Sequence, residues 1–210
     1  MNPDRAIVGM AVVFAVRDRN DGDVWYADEF AAQIASGIGV PMWLEHRDPA
    51  EVDSPGVLGT WRAFAAVAAF EDQPAGLLTI GEFGHSPAAE FTLERVQWSL
   101  RNPYERADRW GLSVTAFDAS PGEDGSIRRL KEVSLVQERY TDAGEIIPGT
   151  GPAFEKALVM EVGPAALDAW RLLTGTEPPT VVATTKRTVR GRLLGIANGK
   201  RVYEEWEEDV

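Results

Sequence analysis

Two strand-like runs near the middle of the chain each carry a polar residue that could take part in acyl-transfer chemistry. GLSVTAF contains Ser113, and LKEVSLV contains Glu132. Alternate side chains of a strand share a face, so Ser113 shares one with Thr115 and not with its aliphatic neighbours. Glu132 likewise lies on the more polar face of its own strand. If the two strands are neighbours, a serine and a carboxylate line one groove.

A serine hydroxyl needs a base before it can act as a nucleophile at neutral pH. An imidazole usually takes the proton, and a third group fixes the tautomer of the ring and stabilises its charge. The chain has two histidines, His46 and His85. His46 ends a short apolar run and precedes a loop rich in Pro and Asp, whereas His85 directly precedes a predicted helix start. His46 is therefore the candidate base, and His85 is interpreted as a residue that introduces a helix.

Local patterns predict the elements that must position these side chains. An N-cap at Ser86 and a stop at Asn102 bound a predicted helix, in which Phe91, Val96 and Leu100 form the apolar side. Further predicted elements are a buried first strand in 6–16, a short helix in 28–37, a hairpin made by 58–70 and 77–83, a strand in 157–162, and a helix from 164 to 175.

The pieces that carry the candidate residues follow one another in a particular order. They are a strand ending in Leu-Glu-His, a loop, a Leu-Gly restart, an intervening helix, Gly-Leu-Ser and finally Glu-Val-Ser-Leu-Val. From Met42 to Val136 this order resembles the prohead (capsid maturation) proteases of tailed bacteriophages, which are related in fold to the herpesvirus assembly proteases. The resemblance implies an α+β fold with a closed or partly closed, mainly antiparallel β-barrel flanked by helices.

The resemblance also implies the activity and the roles of the residues. The expected enzyme is a serine endopeptidase in which Ser113 is the nucleophile and His46 the base. The herpesvirus enzymes use a second histidine after the serine, and this chain has none there. The orienting role is therefore assigned to Glu132, with Ser134 as the alternative.

The donors that would hold the oxyanion are not assigned by the sequence. Arg139 invites comparison with an arginine-bearing loop that lines the oxyanion site of the herpesvirus relatives. Many family members continue their EVSLV-like strand with Pro-Ala, whereas Gln137 and Glu138 follow it here. Because of that departure, no particular backbone N–H group is assigned as an oxyanion donor.

The setting implied by the resemblance is the interior of the assembling procapsid, in the host cytoplasm. Such proteases cleave the scaffold or the scaffold segment of the major capsid protein, and they often cut themselves. The herpesvirus relatives are homodimers, so a homodimer is expected, packed through the helix at Pro164–Leu173 or Ala88–Leu100. No metal or organic cofactor is needed. Residues 1–175 would form the protease domain, and residues 176–210 a linker and a charged tail that is either solvated or functional in assembly.

Composition bounds the possible classes of protein. A chain of 210 residues with 44% hydrophobic composition can bury a full core. It has no cysteine, which excludes disulfides and thiolate metal sites, and its two histidines disfavour a multi-histidine zinc site. A net charge of -12 argues against a general nucleic-acid binder. The apolar run at 6–16 has 11 residues, too few to span a bilayer, so no membrane association is expected.

Other interpretations of the same residues stay open at this level. Ser113 could be a small strand residue satisfied by backbone, and Glu132 an exposed carboxylate that pairs with Lys131 or Arg129. The chain would then be a catalytically inactive, structural or scaffold-like phage protein with the same fold. An unrelated glycosidase could instead use Glu45 or Asp48 with Glu132 as a carboxylate pair.

Overall fold

The computed structural model describes residues 1–20, 22–51, 53–102, 109–118, 128–141, 145–147, 150–179, 188–197 and 200–208. The chain divides into two compact units, Met1–Pro179 and Thr180–Val210. The division falls a few residues after position 176, where the predicted linker and charged tail begin.

The described part of the first unit contains seven strands and three α-helices. The strands are β1 (Ala6–Val13), β2 (Val40–Leu44), β3 (Gly59–Val67), β4 (Gly76–Phe83), β5 (Arg109–Asp118), β6 (Arg128–Glu138) and β7 (Val159–Val162). The α-helices are α1 (Ala31–Ser36), α2 (Pro87–Arg101) and α3 (Pro164–Thr174), and two 3-10 turns lie at Pro3–Arg5 and Ala27–Phe30. The predicted α+β class is confirmed.

The seven strands form one mixed sheet that curls into a half-barrel. Their order is β5-β6-β2-β3-β4-β1-β7. Five of the six pairings are antiparallel, and the pairing of β2 with β6 is parallel. The parallel pairing matters for function, because it brings the carboxyl end of β2 alongside the middle of β6.

Residues between β6 and β7 join the two ends of the curled sheet. The amide of Met10 in β1 donates to the carbonyl of Leu158 at 3.0 Å, and the amide of Leu112 in β5 donates to the carbonyl of Ala157 at 2.8 Å. Gly9 permits this approach, since a Cβ there would lie 2.8 Å from Leu112 Cδ1. Strand β5 is therefore fixed from both sides at the level of Leu112.

One apolar core fills the curl of the sheet. Every residue of β1 is buried, as predicted, but the strand ends at Val13, and Val16 at the end of the apolar run is 46% exposed. Trp61 of β3 is fully buried, and its indole N–H donates to the carbonyl of Val133 in β6 at 2.9 Å. Aromatic side chains bury roughly 150–250 Å² each and contribute strongly to the stability of a core. The core therefore fixes β6, which carries Glu132, directly to β3.

Helix α2 begins as predicted but buries a different face. The Ser86 hydroxyl accepts the amide of Ala89 at 3.2 Å, which is the expected N-cap. The buried residues include Ala89, Leu93 and Val96, whereas Phe91 is 61% exposed. The prediction that Phe91 faces the core is wrong, because Phe91 does not fall on the three- and four-residue spacing that the buried positions follow.

Helix α3 agrees with the sequence expectation. Ala166 and Trp170 are buried, Leu167 and Leu173 pack against the core, and Gly175 ends the helix in the left-handed conformation. No helix among the described residues is both long and apolar enough to cross a membrane.

The second unit contains a two-stranded antiparallel hairpin. Its strands are β8 (Thr188–Ala197) and β9 (Lys200–Glu208). The register places Arg192 opposite Glu204. This segment was predicted only as a charged tail.

Candidate active site

Glu132 is the centre of a buried hydrogen-bond network on β6. Its side chain is fully buried. Oε1 accepts from the Thr115 hydroxyl at 2.6 Å and from His46 Nδ1 at 2.7 Å, and Oε2 accepts from the Ser134 hydroxyl at 2.7 Å. A buried carboxylate is tolerated only when such donors replace water, and hydrogen bonds to a charged group are each worth about 1.5–3 kcal/mol. The interpretation of Glu132 as an exposed partner of Lys131 or Arg129 is wrong.

The register of β5 and β6 explains why the donors meet the acid. Thr115 pairs directly with Glu132, and Ser113 pairs directly with Ser134. Side chains of directly paired residues lie on the same face of a sheet. The four polar residues therefore occupy one face, as the alternation in the sequence predicts.

A tight turn after β2 carries His46 over this face. The carbonyl of Leu44 accepts the amide of Arg47 at 3.0 Å, and the two central residues, Glu45 and His46, have φ of 51° and 57°. Positive φ at both central positions is the geometry of a type I′ turn, which usually contains Asn or Gly. Two residues with large side chains in this conformation cost about 1–2 kcal/mol each. The neighbouring strand must hold the turn in place.

Three contacts to β6 hold the strained turn. The amide of Glu45 donates to the carbonyl of Leu135 at 3.0 Å, and the Glu45 carboxylate accepts the amide of Gln137 at 2.9 Å. The amide of His46 donates to the Ser134 hydroxyl at 3.1 Å. Ser134 thus joins the backbone of the histidine to the carboxylate that its ring contacts.

The contact between His46 and Glu132 sets the tautomer of the ring. An ionised carboxylate only accepts hydrogen bonds, so Nδ1 carries the proton and Nε2 of the neutral ring is left as a proton acceptor. The His46 side chain is 39% exposed, so the ring reaches solvent. An imidazole oriented by a buried acid, with its other nitrogen open, can act as a general base.

Ser113 lies on the same face, but no hydrogen bond to the ring is seen among the described residues. Its residue is 4% exposed. It stands directly opposite Ser134, the residue that contacts both the acid and the histidine turn. The structure therefore joins His46, Glu132 and Ser134 directly and sets Ser113 beside them.

Thr115 was not proposed as a site residue from the sequence. Besides its bond to Glu132, its hydroxyl lies 3.4 Å from His46 Nδ1. The alternation that groups it with Ser113 was visible in the sequence. What the sequence lacks is the strand register, which places Thr115 and not Ser113 opposite the acid.

A second buried acid, Glu138, lies on the same face of β6 as Glu132. The Tyr140 hydroxyl donates to it at 2.5 Å, and Arg19 and Arg109 approach its two oxygens at 3.5 and 3.4 Å. Burial, together with the Glu138 carboxylate, raises the pKa of Tyr140 above its usual value. This network fixes the end of β6 to β5, and it was not foreseen from the sequence.

Two other candidate residues are explained by local structure. His85 is 79% exposed, lies 3.7 Å from a Glu90 oxygen and introduces α2, as interpreted from the sequence. The side chain of Arg139 is exposed, and its backbone amide donates to the Thr150 hydroxyl at 3.2 Å. That amide is therefore engaged and is not an available oxyanion donor in this conformation.

The carboxylate pairs considered for a glycosidase are also engaged. Glu45 caps the amide of Gln137, Asp48 accepts the amide of Ala50 at 2.9 Å, and Glu132 has no exposed surface. A glycosidase needs both carboxyl groups at the sugar, and a fully buried one cannot reach it. This arrangement argues against a glycosidase.

Within the described residues no group of three or more His, Cys, Asp and Glu side chains is arranged to hold a metal ion.

A comparison of the chain with models of known protein families finds no match, and a comparison with curated proteins finds none either.

Proposed function

We propose that this chain is a serine endopeptidase of phage prohead maturation, in which Ser113 is the nucleophile, His46 the general base and Glu132 the orienting acid. Its substrates would be the scaffold or the scaffold segment of the major capsid protein, with the chain itself as a further substrate. The observation that carries the proposal is the 2.7 Å contact between His46 Nδ1 and an oxygen of fully buried Glu132. The proposed substrates come from the order of the sequence motifs between Met42 and Val136, which resembles that of the prohead proteases.

The proposed reaction is an acyl transfer in two halves. His46 Nε2 takes the proton of the Ser113 hydroxyl while Oγ attacks the peptide carbonyl carbon. The tetrahedral intermediate collapses, the C–N bond breaks, and the proton passes from His46 to the leaving amine. Water then attacks the acyl-enzyme while His46 takes its proton, the bond between Ser113 Oγ and the acyl carbon breaks, and His46 returns the proton to Oγ as the acid product leaves. Glu132 holds the ring and stabilises its charge throughout.

The direction of the Thr115 hydroxyl supports Ser113 as the nucleophile. The Thr115 proton is donated to Glu132, on the Nδ1 side of the ring. A nucleophile must give its proton to Nε2, and the Ser113 hydroxyl has no competing partner among the described residues. Hydrogen bonds of a catalytic serine are often long before substrate binds, so the missing contact with His46 is compatible with the role.

The wider setting follows from the same proposal. A half-barrel of this kind would correspond to the barrel of the herpesvirus assembly proteases. The protein would act as a homodimer inside the procapsid in the host cytoplasm, with α2 or α3 as the packing helix. The mechanism needs no metal or organic cofactor.

A second candidate function is favoured by one observation. Ser113 is 4% exposed and its hydroxyl is not bonded to His46. A chain that kept the fold while the serine stayed unactivated would be a structural or scaffold-like component of the prohead. Such a protein would still need the buried network around Glu132 for stability.

Coexpression with the cognate capsid and scaffold proteins separates the two candidates. The wild-type chain is expected to shorten the capsid protein or the scaffold, as seen by mass spectrometry of assembled particles, and Ser113→Ala is expected to abolish the cleavage. Ser99→Ala, a serine replacement on α2, is the matched control and should cleave normally. Processing that survives Ser113→Ala would contradict the proposal, and particles that assemble normally without any cleavage would favour the structural role.

A further inference from the structure

An apolar groove lies between the β3–β4 turn, β7 and α3. Its volume is about 500 Å³, and its walls include Phe70, Val159, Met160, Ala169, Leu172 and Leu173. No residue of the candidate active site lines it. The groove is large enough for several side chains of a bound segment.

Two large apolar side chains at this groove are exposed to solvent. Leu172 is 75% exposed and Phe70 is 50% exposed. Helix α3 buries Ala166 and Trp170, so it presents Leu172 away from the core. Contiguous apolar surface rimmed by polar residues is typical of a binding site for another protein.

The rim of the groove is acidic. Glu71 and Asp72 form the tip of a tight turn, which is closed by reciprocal bonds between Phe70 and Gln73 at 3.0 and 2.9 Å. Glu161 lines the groove from β7. In the described part of the chain none of these three carboxylates forms an ion pair. They are therefore available to cations of a partner.

We propose that this groove binds a cationic amphipathic segment of a partner protein. Apolar side chains of the segment would cover Phe70 and Leu172, and its lysines or arginines would pair with the acidic rim. The net charge of -12 would attract such a segment before contact. A second copy of this chain fits less well, because it would bring two acidic rims together, so the homodimer proposed above would pack through α2. Nor does α3 offer a free cation, since Arg171 is held by Asp168 and Glu177 at 2.9 Å each.

The test uses the full chain and a fluorescein-labelled synthetic helix with leucines on one face and lysines at its edges. Fluorescence anisotropy should show saturable binding that weakens with salt. Leu172→Ser should weaken binding about tenfold or more. Glu71→Lys should also weaken it and reduce its salt dependence. The matched controls on α2, Phe91→Ser and Glu94→Lys, should bind like the wild type, and so should Ser113→Ala, because the groove is independent of the proposed protease activity.

Three results would overturn the proposal. The peptide could fail to bind. All variants could bind it equally, which would indicate attraction to the overall charge. Sedimentation could show a wild-type dimer that Leu172→Ser dissociates, which would assign the groove to a second copy. Thermal unfolding of each variant checks that it is folded, and Glu71→Lys tests the groove without touching its apolar wall.

Discussion

Glu132 is the residue on which the candidate site depends. A carboxylate without exposed surface is costly unless it is paired, and here a threonine, a serine and a histidine supply all three donors. A purely structural network could be replaced as a whole by well-packed apolar residues at little cost, whereas loss of the acid alone would leave its three donors unpaired. An acid that orients a half-exposed imidazole has, in addition, a chemical reason to be buried. Substitutions around the carboxylate can separate these roles.

Replacing Glu132 with glutamine should keep the fold and remove the charge behind the ring. The amide has nearly the same shape, but it cannot stabilise the imidazolium that forms during attack. We expect the rate of peptide cleavage to fall by roughly 10³- to 10⁴-fold. Glu94→Gln, on the exposed face of α2, is the control and should cleave at the wild-type rate. An unchanged rate in Glu132→Gln would remove the acid from the mechanism.

Replacing Ser134 with alanine should loosen the histidine turn. The variant loses a donor to Glu132 and an acceptor for the His46 amide. We expect a loss of about 1–3 kcal/mol in the free energy of unfolding. Cleavage should slow roughly 10- to 100-fold through misplacement of the ring. Ser134→Thr keeps the hydroxyl and should recover most of the rate, which a mere packing role would not explain.

The strands and turns of the site differ in how far local sequence specifies them. Alternation along β5 and β6 predicts the shared polar face, and Ser86, Gly37 and Gly175 mark helix ends where the structure has them. Strand β2 pairs in parallel with β6, and this pairing brings the His46 amide to the Ser134 hydroxyl, 88 positions further along the chain. No local pattern encodes that pairing. The hydrogen bonds to Glu132 depend on that pairing, and so does the absence, among the described residues, of a hydrogen bond between Ser113 and His46. Local sequence could therefore predict neither.

The β3–β4 hairpin contains an ion pair that makes stability depend on pH. Burial disfavours the charged form of Glu82, but the Asn2 amide at 2.9 Å and Arg62 at 2.6 Å outweigh burial and lower its pKa. A lowered folded-state pKa stabilises the fold above the unfolded-state value near 4.5, and this contribution is lost as pH falls through the folded-state pKa.

Glu82→Gln should therefore be less stable than the wild type at neutral pH, by about 1–2 kcal/mol. The difference should shrink as the pH is lowered below 4.5, because the wild-type carboxylate then becomes protonated. Urea unfolding of both proteins across this range measures it, with Glu94→Gln as the control. A difference that stays constant with pH would show that the charge of Glu82 does not matter.

On the scale of the whole molecule, the core and the candidate site both belong to the first unit. The buried apolar cluster and the contacts of Glu132 lie within Met1–Pro179. The second unit contains its own two-stranded sheet, β8 and β9. The first unit should therefore contain everything that the proposed chemistry requires.

Residues 1–179 produced alone should fold and keep the site. We expect one cooperative thermal transition, as for most single domains. We also expect reaction with a serine-directed phosphonate at the rate of the full chain. The full-length protein is the reference in both measurements. A fragment without a cooperative transition would show that the fold needs residues 180–210.

The most direct test is the rate at which a fluorophosphonate modifies Ser113, located by mass spectrometry in the wild type and in His46→Gln. We expect a single modified residue, Ser113, and a rate that falls by at least roughly 10³-fold when the imidazole is removed, since the base no longer accepts the proton. Modification at Thr115, no modification at all, or a rate that does not change in His46→Gln would contradict the proposed serine, histidine and acid arrangement.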